Sequence, residues 1–338
     1  MKKEFDVLLL GYYGFGNLGD ELLAEAAVAL LCEAGVKRER IAILSASPAD
    51  SEKKLGVRAF DRWKVSAVVK ACAKSRTLLL GGGGLFQDST SLRSCLYYCA
   101  VMLAARACGL KIWAEGQSVG PLNSKAAHIV TRLSLSFCSH LSVRDEASLK
   151  KTGELGLRAE FIPDLVMSLR PEKNASKRPR PWLLFNARPG HEVLARAAAE
   201  RCCALAEANG WEVRGVALSG EDAAEIAGLQ DLQYIKIRDI ITVRSIEDFS
   251  AAARGASGAV GMRLHFLVLC RLAGIPAAGC AYDPKVSGFC MRYSIGMIDD
   301  GPVSLRGGAD DIELGEARET VREKFTAGLH SVLGDVYG

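Results

Sequence analysis

Short β-rich runs alternate with longer helical runs along most of the chain, and this alternation limits the folds open to it. In the first half, six runs predict strands: Phe5–Leu10, Ile41–Leu44, Thr77–Leu80, Lys111–Ala114, His140–Val143 and Glu160–Ile162. Between them, helices are predicted at Asp20–Glu33, Leu92–Cys108 and Ala126–Phe137. Because strands joined by crossover helices lie parallel in a sheet, the pattern predicts an α/β fold.

One polar, basic and proline-rich segment, Arg170–Pro181, interrupts the alternation and predicts an interdomain linker. Beyond it, Ser245-x-x-Asp248 resembles a capping box at a helix start. Strands are predicted at Trp182–Asn186, Glu212–Leu218, Tyr234–Ile237, Gly258–Gly261 and Pro276–Ala281, and a last helix at Glu313–Leu333. We therefore predict two Rossmann-like, doubly wound domains, 1–170 and 171–338, which face a cleft, with the last helix packing back on the first domain.

Composition narrows the function classes. The net charge of +4 is small for 338 residues, and no arginine-rich arm or basic stripe stands out, so nucleic-acid binding is not predicted. Eleven cysteines without zinc spacing predict reduced thiols in a cytosolic protein. No apolar run is long enough to cross a bilayer, so we expect a soluble, cytoplasmic protein. Contact of the basic linker with the inner face of the membrane is an alternative to its simple solvation.

The stretch Gly261–Phe289 combines a strand end, a buried helix, a second strand and a predicted loop. Arg263 and His265 stand in the first turn of that helix, where cations oppose the helix macrodipole. An anion on the first backbone N–H groups would remove the conflict, and Lys285 would reach the same rim from the loop. The pattern predicts a pocket for a phosphate or carboxylate. The alternative is that the two side chains pair with local carboxylates such as Asp283.

Two glycine-rich turns follow strand ends in the first half. Gly14, Gly16 and Gly19 match G-x-G-x-x-G, a weak dinucleotide signal, but Asp20 and Glu21 would repel a pyrophosphate. A neutral, hydroxyl-rich ligand whose protons these carboxylates accept is the other interpretation, and helix capping by Asp20 competes with it.

The second glycine-rich turn is the run of four glycines, 81–84, which precedes Gln87 and Asp88. It predicts close approach of a ligand, with tight helix–strand packing as the alternative.

Arg144 follows a further strand end, where an arginine suits a carboxylate or phosphate. An ion pair with Asp145 or Asp164 is its alternative.

Together these residues resemble the polysaccharide pyruvyl transferase family, in particular its cell-wall type. The motifs are GYYGFGNLGDE, GGGGLFQDSTSLRS, EGQSVGPL, SVRDE, IPDLV, GMRLH and AYDPKVSGF, between residues 11 and 289. The resemblance implies the GT-B-like arrangement of two domains and transfer of pyruvate from phosphoenolpyruvate to a sugar as a ketal. For the cell-wall type the sugar is N-acetylmannosamine in a polymer that anchors surface-layer proteins. The strand-end segment LLFNARPG departs from the family's serine-rich pattern.

The resemblance implies that Arg144, His265 and Lys285 serve donor binding and catalysis. The phosphate and carboxylate of phosphoenolpyruvate need several fixed cations, so Arg263 is expected to join Arg144 and Lys285 in donor binding, with His265 as general acid. Asp20 is the first choice for the carboxylate that accepts protons from the sugar, and Asp88 the second. Acceptor contacts are expected from Gly14, Gly16, Asn17, Glu21, Gly82, Gly83 and Gln87. No metal or cofactor is expected, since phosphoenolpyruvate is a co-substrate, and the acceptor is a free or lipid-linked sugar.

Two other functions remain open at this stage. A nucleotide-sugar glycosyltransferase of the same architecture would bind a uridine or guanosine diphosphate, because a fold does not determine its chemistry. A non-catalytic polysaccharide-binding protein would keep its sugar binding and its cellular function after loss of His265.

Overall fold

The computed structural model describes residues 3–89, 91–174, 181–298, 303–307 and 311–334. The chain divides into two compact units. The first contains the chain up to Phe15, Asp20–Ser168 and the part of the last helix from Ala317 onward, and the second contains Gly16–Gly19 and Leu169–Glu316. The residues from Ala317 onward thus belong to the first unit, although the predicted boundaries assign them to the second domain. Part of the predicted linker, residues 175–180, lies outside the described residues.

The first unit is built on a parallel sheet that has seven strands in the described chain. Their bounds are β1 Phe5–Leu10, β2 Ile41–Ser45, β3 Arg58–Asp61, β4 Ser75–Phe86, β5 Lys111–Val119, β6 Cys138–Val143 and β7 Glu160–Phe161. The strand order is β3-β2-β1-β4-β5-β6-β7. All six residues of β1 are buried, as expected for a central strand covered by helices on both faces.

The helices of this unit connect successive strands. They are α1 Leu18–Glu33, α2 Pro48–Leu55, α3 Val65–Lys74, α4 Arg93–Ala107, α5 Lys125–Leu135 and α6 Glu146–Glu154. Pro48 stands at the start of α2, where its missing N–H costs nothing, and Gly56 ends the helix in the left-handed conformation. Within the described residues, no helix has the length and apolarity that a bilayer span requires.

The second unit has the same α/β architecture, with a parallel sheet that has six strands in the described chain. The strands are β8 Trp182–Asn186, β9 Glu212–Ala217, β10 Asp239–Thr242, β11 Ala256–Gly261, β12 Ala277–Gly279 and β13 Gly296–Met297, in the order β10-β9-β8-β11-β12-β13. The helices are α7 Glu192–Asn209, α8 Gly220–Asp231, α9 Ile246–Ala253, α10 Leu264–Leu272, α11 Pro284–Arg292 and α12 Asp311–Leu333. The prediction of two Rossmann-like α/β domains is confirmed.

Most predicted elements are present, and the departures have local causes. The strand predicted at Tyr234–Ile237 is wrong, because this segment closes the end of α8 instead. Its Tyr234 N–H donates to the Leu229 carbonyl, and its Ile237 N–H donates to the Gln230 side chain. The predicted helix start is confirmed, since Ser245 Oγ accepts the Asp248 N–H at 3.1 Å, but the Asp248 carboxylate accepts the N–H of Arg244 and not that of Ser245. Strands β3, β10 and β13 were not predicted.

The last helix completes the first unit. Phe325 is fully buried, with its ring 5.5 Å from that of Trp113 on β5. Lys324 Nζ donates to the Phe161 carbonyl at 2.6 Å, at the end of edge strand β7. The apolar side of α12 therefore supplies part of the core beneath the first sheet.

A buried acid–base pair lies under the same helix. Glu115 on β5 has no solvent exposure, and its Oε1 lies 2.9 Å from His140 Nε2 on β6. A Cβ on Gly328 of α12 would overlap that carboxylate oxygen, so a glycine is required for this close approach. Burial raises the pKa of Glu115, and the contact with Glu115 raises the pKa of His140. The pair therefore holds a proton more tightly in the folded chain than in the unfolded chain.

We expect this pair to make the protein less stable as the pH rises. A state that binds more protons is favoured at low pH, so the stabilisation is complete below the ordinary histidine pKa of 6.5 and declines above it. Thermal unfolding midpoints of wild type and His140→Gln, measured between about pH 6 and pH 8.5, test this sign. The variant should show a flatter pH profile, and an unchanged slope would contradict the assignment.

Candidate functional site

The predicted site residues gather at the carboxyl ends of strands in both sheets. In the first sheet the strand order reverses between β1 and β4, and in the second between β8 and β11. Ligands of open α/β sheets bind beside such reversal points, outside the carboxyl ends of the strands. The glycine-rich turn after β1 and the glycine run 81–84 inside β4 flank the first reversal point, and the segments after β8 and β11 flank the second.

The turn after β1 is held by its own side chains. Glu21 Oε1 accepts the Gly14 N–H at 2.8 Å, and Gly14 has a positive φ of 81°. Tyr13 is buried, and its hydroxyl donates to the Gly81 carbonyl at 3.1 Å, which ties this turn to the glycine run of β4. Glu21 therefore has a structural partner in the turn, and Asn17 likewise accepts the N–H of Gly19.

The four glycines predicted as a turn lie inside β4, where Gly81 and Gly83 pair with residues of β5, so the strand continues beyond its predicted end. They serve two purposes. A Cβ on Gly82 would lie 3.0 Å from Leu23 of α1, which is the tight helix–strand packing considered as the alternative. At Gly83 the nearest group to such a Cβ, at 3.4 Å, is Oδ1 of the half-buried Asp20. The structure thus brings Asp20 to the predicted glycine loop.

The two polar residues beyond these glycines are engaged locally. Asp88 accepts the backbone N–H groups of Asn123 at 2.6 Å and Ser124 at 2.8 Å, just before α5. These hydrogen bonds lower the pKa of Asp88, which weakens it as a base. Gln87 Oε1 accepts the Ser89 N–H at 2.9 Å. Of the two carboxylates predicted to accept protons, the geometry favours Asp20.

Arg144 follows β6 and is nearly buried. Its guanidinium pairs with Asp164, and the two side chains are only 5% and 4% exposed. Its Nε donates to Ser118 Oγ at 2.8 Å, and that hydroxyl donates to Asp145 at 2.7 Å. The ion pair with Asp164, one of the two alternatives for Arg144, is therefore present.

In the second unit, Arg263 occupies the N-cap of α10 rather than its first turn. Its Nε lies 3.0 and 3.1 Å from the two carboxylate oxygens of Asp222 on α8. Asp222 is fully buried and also accepts the Leu218 N–H at 3.2 Å. Arg263 is therefore paired with a carboxylate, as the alternative interpretation predicted, but this carboxylate belongs to Asp222 and not to Asp283.

His265 lies in the first turn of α10 and is half-buried. Its ring packs on the backbone of Gly19, where a Cβ would overlap Nδ1. Beside it, the Leu18 N–H donates to the Leu218 carbonyl at 2.9 Å. The third glycine of the GxGxxG pattern therefore makes room for the imidazole.

Lys285 stands in the first turn of α11, so the loop predicted there is wrong. Asp283 caps this helix by accepting the Lys285 N–H at 3.0 Å, and the same carboxylate lies 3.2 Å from Lys285 Nζ. Both side chains are about one quarter exposed. Lys285 therefore presents a partly neutralised charge at the end of β12.

Sequence reasoning missed Arg188 and His191, which follow β8. Arg188 lies over the ring of Tyr282, 4.4 Å from its centroid, and the His191 ring is 4.7 Å from the same ring. Arg188 Nε is buried and lacks a hydrogen-bond partner among the described residues. Burial and the neighbouring Arg188 lower the pKa of His191. The sequence signal was available, since Arg188 follows the strand end LLFN in the segment that departs from the family pattern.

Comparison with known proteins identifies the family. The sequence profile described as polysaccharide pyruvyl transferase matches residues 17–284, well over half of the chain. The chain belongs to the polysaccharide pyruvyl transferase family. Membership in the pyruvyl transferase family implies a transferase that moves pyruvate onto a polysaccharide. No curated protein matches the whole sequence significantly.

Solved structures are similar to this pyruvyl transferase in fold alone. A UDP-N-acetylglucosamine 2-epimerase from Rickettsia bellii aligns with a TM-score of 0.61 at 10% identity, over 98% of both chains. The enzyme of that name from Methanocaldococcus jannaschii has a TM-score of 0.60 at 10% identity, with complete coverage of both. A glycosyltransferase from Rickettsia africae aligns at 0.52 and 10% identity, over 98% of this chain and 96% of that one. The fold class is that of GT-B glycosyltransferases and these epimerases.

Proposed function

We propose that the protein transfers pyruvate from phosphoenolpyruvate to a sugar of a cell-wall polysaccharide or its precursor, forming a pyruvate ketal. The observation that carries the proposal is the set of groups at the carboxyl ends of three neighbouring strands in the second sheet. Arg188 follows β8, His265 follows β11 and Lys285 follows β12. In a pyruvyl transferase, this set offers two cations and a proton-donating group to phosphoenolpyruvate, which is small and highly charged.

The charge balance of this set favours an anion. The charge of Arg263 is cancelled by Asp222, and that of Lys285 is reduced by Asp283. The buried Nε of Arg188 has no hydrogen-bond partner among the described residues. A guanidinium with an unused N–H donor suits a phosphate or carboxylate, whose oxygens accept guanidinium N–H groups. We therefore add Arg188 to the proposed donor contacts, with Lys285, and assign Arg263 the task of positioning the start of α10.

The chemistry needs one proton donor and one acceptor. The first sugar hydroxyl adds to C2 of phosphoenolpyruvate while C3 gains a proton from His265, since an imidazole exchanges protons near neutral pH. The C2–O bond to phosphate then breaks, with both electrons leaving on phosphate. The second hydroxyl of the same sugar closes the ketal and loses its proton. In the first unit, Asp20 beside Gly83 is the proposed acceptor of hydroxyl protons.

Two further assignments are proposed from the resemblance alone. The proposed acceptor is N-acetylmannosamine in a polymer that anchors surface-layer proteins. Arg144 is proposed to bind phosphoenolpyruvate, because it lies in one of the motifs shared with the family. Gly14, Gly16, Gly82 and Gly83 would let the backbone approach the sugar.

The rival function is nucleotide-sugar chemistry, since one structure of similar fold is a UDP-GlcNAc 2-epimerase in complex with UDP-GlcNAc and UDP. A thermal-shift titration with phosphoenolpyruvate, UDP and GDP separates the two. A ligand at about 100 times its dissociation constant adds about 2.7 kcal/mol to stability. We expect stabilisation by phosphoenolpyruvate alone, and its loss in Arg188→Ala. Arg196→Ala, a pair-forming arginine on the surface of α7, is the matched control and should keep the shift.

The outcomes are distinct. Stabilisation by UDP or GDP alone would replace pyruvyl transfer by glycosyl transfer. Stabilisation by phosphoenolpyruvate that persists in Arg188→Ala would retain the reaction and remove Arg188 from the donor site.

A further inference from the structure

The net positive charge of the chain arises in one segment that is poor in acidic residues. Between Arg62 and Arg144 there are eleven Lys and Arg residues but only two acidic residues, Asp88 and Glu115. The rest of the chain has 32 basic and 37 acidic residues, so the excess positive charge of the whole protein comes from this segment. No acidic residue occurs in α3, α4 or α5. The small net charge of the sequence conceals this asymmetry.

The three helices lie side by side on one face of the first sheet. Each forms a crossover between strands that follow one another in the chain, and α4 packs against both α3 and α5. Val68, Val101 and Ala127 point from these helices into the core. The opposite sides of the helices form one outer surface, which we call the basic face.

Large apolar side chains are exposed on and beside the basic face. Its seven members, with their exposed fractions, are Trp63 62%, Val65 78%, Val69 45%, Leu96 48%, Leu103 47%, Ile129 67% and Leu133 45%. They are half of the exposed large hydrophobic residues in the described chain. Scattered exposed apolar residues are normal, but their concentration on adjacent helices marks an interaction surface.

Cations surround these apolar side chains. Six of them are exposed: Lys64, Lys70, Arg93, Arg106, Lys125 and Arg132. Of the two acidic residues of the segment, Glu115 is fully buried, so the partly buried Asp88 carboxylate is the segment's one negative charge against these six cations. The basic face therefore presents apolar and cationic groups together, and Asp61 lies at its rim, 3.6 Å from Lys64.

We propose that the basic face docks the protein on an anionic lipid bilayer. Exposed Trp, Leu, Ile and Val side chains gain free energy by entering the boundary of the acyl chains, and Lys and Arg are attracted to anionic headgroups. A second copy of the chain is disfavoured as the occupant, because two basic faces repel each other. RNA would use the cations but leave the apolar side chains unpaired. The proposal does not depend on the reaction proposed above.

Vesicle flotation of the full chain tests the docking. We expect binding to vesicles of equal parts phosphatidylcholine and phosphatidylglycerol, no binding to phosphatidylcholine alone, and weakening by salt. Each cation near an anionic membrane strengthens binding about fivefold, so Lys70→Glu/Arg132→Glu should weaken it by about 25-fold or more. Val65→Glu/Ile129→Glu should also release the protein, because its apolar side chains no longer insert.

The control is Val193→Glu/Leu232→Glu, at two positions of the second unit that are 82% and 66% exposed. It adds the same two charges and should bind like wild type, and thermal midpoints show that all variants fold. Equal binding to both vesicle types, or wild-type binding by either variant of the basic face, would overturn the proposal. Binding of single-stranded RNA in place of vesicles, unaffected by Val65→Glu/Ile129→Glu, would assign the face to nucleic acid instead.

Discussion

Replacing Arg144 by alanine is expected to lower the free energy of unfolding by about 3–5 kcal/mol. The substitution leaves the Asp164 carboxylate, which is 4% exposed, without its guanidinium partner in a poorly solvated position. Burial of an uncompensated charge is far more costly than loss of an exposed ion pair. Chemical denaturation monitored by fluorescence or circular dichroism measures the difference.

A double variant separates the pair from the packing around it. Arg144→Met/Asp164→Leu removes both charges and should recover most of the lost stability, because neither charge is then left unpaired. Arg196→Ala breaks an exposed pair with Glu200 and should leave the denaturation midpoint essentially unchanged. If Arg144→Ala unfolds at the wild-type midpoint, the buried pair is not a stabilising element. If Arg144→Ala loses pyruvyl transfer, the double variant also distinguishes the two causes, loss of donor binding and unfolding.

Replacing His265 by glutamine is expected to reduce kcat about 100- to 10,000-fold at saturating phosphoenolpyruvate. Glutamine is similar in size and can donate a hydrogen bond, but it cannot deliver a proton to C3 of the donor. Because the side chain is only half-buried, the variant should fold with nearly the wild-type thermal midpoint. Phosphate release in the presence of the acceptor sugar gives the rate.

The matched control is His128→Gln, at a half-buried histidine of α5 whose Nδ1 lies 3.0 Å from the Ser124 carbonyl. It should keep turnover within a few-fold of wild type. Near-normal turnover of His265→Gln would remove the proton-donor assignment while leaving the donor-binding test with Arg188→Ala unaffected. Loss of phosphoenolpyruvate binding in His265→Gln, with turnover restored at higher donor concentration, would make His265 a binding group.

The site was only partly predictable from sequence. Glycines and charged residues at strand ends are visible because the end of an apolar run also marks the carboxyl edge of a parallel sheet. The positions of Asp20, Arg144, His265 and Lys285 were found in this way. Their partners were not, because Arg263 pairs with Asp222, which is 41 residues earlier in the chain. Arg188 was missed for a similar reason, since its contact with Tyr282 joins two strand ends far apart in sequence.

The sequence by itself determined the α/β class, the two Rossmann-like domains and the bounds of strands such as Phe5–Leu10 and Trp182–Asn186, which agree residue for residue. These features follow from local hydrophobic patterns and backbone hydrogen bonding, which are written in consecutive residues. Only the tertiary structure decided which cations are neutralised and which exposed helices share a face. Charge pairing and surface composition depend on distances between residues that are remote in the chain, and no local pattern encodes those distances.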